Sequence, residues 1–89
     1  MQPLDRIAGA EALSVFANDG ERLQDRMEAA SHLGLVLARF AGSRGQGHLR
    51  TALIKCELAA KYSQSHRDVD ERFYDVSRLL YQAQVDFSA

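Results

Sequence analysis

Eighty-nine residues, 46% hydrophobic and 26% charged, make one globular domain spanning 1–89 and leave out intrinsic disorder. The formal net charge of −1 is not the clearly positive balance of a protein built around nucleic acid. No apolar run reaches 18 residues, so no membrane span is expected. Met1–Arg6 also lack the basic-then-apolar pattern of a secretory signal.

A domain this small buries only about 60–65% of its unfolded surface, so its stability is modest and partners, a second copy included, matter to it. Cys56 is the single cysteine and cannot close an internal disulfide, which fits a cytoplasmic setting. The charge is uneven. Residues 1–30 carry three basic and six acidic side chains, 31–67 six basic and one acidic, and 68–89 two basic and five acidic. Either the segments pack side by side and neutralise one another, or the basic middle, 39–67, serves an anion.

In chain order, Leu4, Ile7, Ala8, Leu13 and Phe16 give a partial amphipathic pattern that predicts a short helix over Leu4–Ala17, with Pro3 in its first turn. Gly9 weakens it by about 1 kcal/mol relative to alanine. Asn18-Asp19-Gly20 is a stop signal. A second helix is expected over Glu21–Ala41, where Leu23, Met27, Ala30, Leu33, Val36, Leu37 and Phe40 share a wide face. Its early acids and late Arg39 suit the helix dipole. Ala30, Gly34 and Ala38 recur every four residues and predict either a close internal helix crossing or a self-association face. Three glycines within Gly42–Gly47 predict a mobile loop joining antiparallel neighbours.

A third helix over His48–Tyr62 carries two apolar stripes. Leu49, Leu53, Cys56 and Ala60 form one, and Ile54, Leu58 and Tyr62 the other, so both sides are expected to be buried. Ser63–Arg67 favours a break, with Asp68 as the next N-cap and Glu71 its reciprocal partner. The alternative is one rod from His48 to Phe87. Val69, Phe73, Val76, Leu80, Ala83 and Phe87 then form a helical seam nearly three heptads long.

Chemistry is thinly represented. Gly42–Gly47 lacks the Lys and Ser/Thr of a phosphate loop, so it reads as a connector with at most a weak anion contact at Arg44, His48 and Arg50. Cys56 lies on an apolar stripe, with no base fixed beside it among His32, His48 and His66. Glu28 with His32, and Asp68, Glu71 and Asp75, share helix faces but read as solvated or capping residues, not metal ligands. His66-Arg67-Asp68 matches a kinase tripeptide by chance in so short a chain. The aromatic residues concentrate in the last third. Tyr74 and Tyr81, seven apart with Arg78 between them, lie beside the seam as a candidate partner-binding stripe.

The sequence therefore predicts an all-α fold, a small up-down helical bundle of one short and three longer helices, or a helical hairpin with one long C-terminal helix. The expected function is a non-enzymatic protein–protein interaction module of adaptor, chaperone or inhibitor type. It has no cofactor and no metal, and its partner is another protein or a second copy. The alternative is a nucleic-acid-associated regulator using 39–67.

Overall fold

Four helices account for most of the chain: α1 (Pro3–Ala17), α2 (Leu23–Ala41), α3 (Gly47–Tyr62) and α4 (His66–Gln82). The computed structural model describes residues 3–41 and 47–87, and among these there is no strand. The first three helices start and stop within two residues of the boundaries predicted from sequence. Asn18 sets the first turn. Its side-chain oxygen accepts from the Gly20 N–H at 2.9 Å, and its carbonyl accepts from the Glu21 N–H at 3.1 Å. Of the predicted glycine-rich loop at 42–47, residues 42–46 lie outside the described residues and Gly47 opens α3.

The joint between α3 and α4 is a break, with 63–65 outside any helix. The cap is Ser65, not Asp68. Ser65 is extended (φ −157°, ψ 164°), and its hydroxyl accepts from the Asp68 N–H at 3.1 Å. Asp68 reaches back to accept from the Gln64 N–H at 2.8 Å. A hydroxyl followed three residues later by an acid satisfies two orphan donors at once, which places the helix start three residues earlier than expected. Buried Ser63 adds a bond from its hydroxyl to the Ala59 carbonyl at 2.7 Å. The chain then folds back. Lys55 Nζ lies 3.6 Å from Asp75 Oδ2, whereas a continuous rod would hold residues twenty apart about 30 Å from each other. The long C-terminal helix is thus excluded.

The far end of α4 corrects a second expectation. The helix stops at Gln82 because Gln84 takes a left-handed conformation (φ 59°). Its N–H donates to the Tyr81 carbonyl and that of Val85 to the Leu80 carbonyl, both at 3.0 Å, the two bonds of a Schellman ending. Phe87 is therefore not the last knob of a helical seam. It is buried at the end of a returning segment, its ring 6.2 Å from that of Phe40 and against Gly9 of α1. A Cβ at Gly9 would lie 2.4 Å from the Phe87 ring, so this glycine makes room for the chain end.

That contact reverses the usual sign of a glycine substitution. Gly9→Ala should destabilise the protein by about 1–3 kcal/mol through overpacking. In a Phe87→Ala background the same change should stabilise by up to about 1 kcal/mol, since only helix propensity remains. Urea denaturation of the four proteins of the cycle checks this. An equal effect of Gly9→Ala in both backgrounds would contradict the packing described.

The core is shared by all four helices and the chain end. Phe16, Leu33, Leu37, Leu49, Cys56, Val69 and Val76 are among its fully buried members. Consecutive helices are the principal neighbours, so α3 touches both α2 and α4. It does so with one stripe: Leu49, Ala52, Cys56 and Ala59 are buried, whereas Ile54 is 55% exposed and Tyr62 is exposed too. The expectation of two buried faces fails because small side chains on a single stripe let both neighbours approach it. In α2, Ala30 and Gly34 are buried, and a Cβ at Gly34 would stand 3.4 Å from Leu53 of α3. Those two positions belong to an internal crossing; Ala38 is exposed. A radius of gyration of 11.8 Å matches the roughly 12 Å of a compact domain this long.

Candidate interaction surface

The residue that ties the start of α4 to the rest of the bundle is Arg26, in the first turns of α2. It is the largest fully buried side chain, at 0% exposure. Its Nε donates to the Phe16 carbonyl at 3.0 Å, one of the orphan carbonyls at the end of α1. One terminal nitrogen meets His66 Nδ1 at 3.0 Å, and the other donates to Asp70 Oδ1 at 2.6 Å. A guanidinium only donates, so His66 accepts at Nδ1 and carries its proton at Nε2. One side chain thus gathers the end of α1 and the starts of α2 and α4. No buried side-chain polar atom lacks a partner among the described residues.

Sequence patterning counts Arg26 only as a charge. The available signal is its phase: Arg26, Ala30, Leu33 and Leu37 follow one another at core spacing, so an arginine at that position must find internal acceptors. The pairing of basic and acidic segments is present elsewhere. Arg39 of α2 meets Asp5 of α1, and Lys55 of α3 meets Asp75 of α4. These partly exposed pairs contribute little individually.

With its start fixed, α4 presents Tyr74, Arg78 and Tyr81 outward. Tyr74 is 66% and Tyr81 84% exposed, and an Arg78 terminal nitrogen lies 3.8 Å from Asp75 Oδ1. The two tyrosines share a face but differ in surroundings. Tyr74 stands among Asp70, Glu71 and Asp75. Tyr81 borders a cleft of about 700 Å³ whose apolar lining is Leu13, Leu80, Val85 and Phe87. The cleft exists because the Schellman ending turns 85–87 back toward α1, which no helical periodicity reveals.

His48 and Arg50 are exposed in the first turns of α3, and Arg44 lies outside the described residues. Cys56 is buried, and burial, followed by the nearby Glu57 charge, pushes its thiol up to about 12. The thiolate a nucleophile requires is therefore scarce at neutral pH. No cluster of three His, Cys, Asp or Glu side chains suited to a metal ion occurs among the described residues. No helix of the described residues is long and apolar enough to cross a membrane.

No protein-family model matches the chain, and comparison with curated proteins and with solved structures finds no match either.

Proposed function

We propose that the chain is a non-enzymatic interaction module of adaptor, chaperone or inhibitor type. Its helices stand as an up-down bundle, it works in the cytoplasm, and it binds another protein along α4. The observation that carries this reading is Tyr81, almost fully exposed beside the apolar cleft lined by Leu13, Leu80, Val85 and Phe87. A rigid aromatic ring with a polar tip loses little conformational freedom on binding, and an adjoining pocket offers a place for a partner's apolar side chain. Arg78 and Tyr74 extend the same face toward the acidic start of α4.

The test is isolation of the bound protein by affinity capture, followed by calorimetric titration of that partner. Tyr81→Ala should weaken binding by about 1 kcal/mol or more, roughly fivefold, and Tyr74→Ala by less. Replacing Arg44 and Arg50 together by alanine should leave this affinity nearly unchanged, with weak salt dependence. Tight binding to DNA or RNA that falls steeply with salt and vanishes in the double arginine variant would instead establish the nucleic-acid alternative.

A further inference from the structure

Two adjoining cavities form a groove between α2 and α3, on a face separate from Tyr81: they share Ala38 of α2 and Leu53 of α3, with Leu35 of α2 lining one and Ile54 of α3 the other. Leu35 is 62% and Ile54 55% exposed, so two large apolar side chains stand in solvent on adjoining helices. Exposed apolar groups adjoining one groove mark an interaction surface. The charges along it say what covers it. Arg50 lines the Ile54 side of the groove and Glu57, with Glu28 and Lys61, the Leu35 side; Arg50 and Glu57 stand seven residues apart on α3, equally spaced about Leu53 and Ile54. Both are exposed, and neither has an ion-pair partner among the described residues.

A two-fold axis passing between Leu53 and Ile54, perpendicular to α3, exchanges the positions of Arg50 and Glu57. It lays α3 antiparallel to α3 of a second copy. Each Arg50 then faces the Glu57 of the other copy, while Leu35 and Ile54 come together near the axis. A closed interface of this kind must be self-complementary, with each contact made twice. Opposite charges placed symmetrically about an apolar centre meet that condition. We infer that the α2–α3 groove is the interface of a homodimer, with Leu35 and Ile54 at its centre and reciprocal Arg50–Glu57 pairs at its ends. The inference does not depend on the reading of α4.

Sedimentation equilibrium of the full chain tests it. The wild type should fit a dimer at micromolar concentrations. Ile54→Glu should give a monomer with unchanged helical circular dichroism, because that side chain is already in solvent. Arg50→Glu and Glu57→Arg should each weaken dimerisation about tenfold, since each sets two like-charged pairs face to face. Mixing these two variants should restore association to nearly the wild-type level. In the mixed dimer the two substituted side chains face each other with opposite charges, and the native Arg50 of one chain faces the native Glu57 of the other. A wild type that stays monomeric to high concentration would overturn the proposal. So would a folded Ile54→Glu protein that still dimerises, or a mixture no tighter than its components.

Discussion

Arg26→Ala is expected to lower the unfolding free energy by about 3–5 kcal/mol, the range found when a large buried side chain is truncated to alanine. The truncation leaves a cavity where the largest buried side chain stood and deprives the Phe16 carbonyl of its donor. The starts of α2 and α4 also lose their link through His66 and Asp70. Asp70→Asn should be milder, at about 1–2 kcal/mol. Its side chain is 53% exposed, and Asn keeps an oxygen that can accept from the guanidinium. Urea denaturation followed by far-ultraviolet circular dichroism gives both values. Equal effects of the two substitutions would show that Arg26 is held by Asp70 alone and not by all three acceptors.

The second large effect is expected at Phe16, which is fully buried at the end of α1. Phe16→Ala should cost about 3–5 kcal/mol, enough to unfold much of so small a domain. Its ring meets Phe73 of α4 edge to face, with centroids 5.4 Å apart and planes at 85°. Phe73 is only partly buried, so Phe73→Ala should cost less, about 2–3 kcal/mol. The double variant should show a coupling of about 0.5–1.5 kcal/mol, measured by the same denaturation series. Strictly additive losses would mean that the edge-to-face contact adds nothing beyond burial.

The helices were legible where the chain announces its own interruptions. Asn18-Asp19-Gly20 and the apolar period between them and Ala41 define α1 and α2, and Ser63-Gln64-Ser65 marks the break before α4. Both ends of α4 differ from the sequence expectation for local reasons. Asp68 and Ser65 are both good caps, and only the reciprocal bonds with Gln64 and Asp68 choose between them. Phe87 keeps helical phase with Leu80 by coincidence, while Gln84 ends the helix without the glycine that usually signals such a stop.

Less was legible of the surfaces. Tyr74 and Tyr81 fall outside the seam by phase, and both are exposed. The cleft beside Tyr81 requires the chain end to return across Gly9, a non-local event with no periodic trace. The burial of Arg26 has the same character. Its acceptors come from residues 10 and 40 or more positions away, and a sequence pattern sees only its charge. Which stripe of α3 is covered depends likewise on where α2 and α4 settle, so Ile54 and Tyr62 read as core in the sequence and as surface in the structure.

The candidate surface on α4 rests on that helix folding back along α3. The most direct test is a spin-label distance between cysteines placed at Thr51 and Ser77, both exposed, with unlabelled chain added in excess to suppress intermolecular pairs. Buried Cys56, its thiol pushed up to about 12, should not compete for the label. The folded-back arrangement predicts a separation well under 20 Å, because antiparallel neighbours pack about 8–10 Å apart. A distance near 39 Å, the length of about 26 residues in one continuous helix, would contradict it.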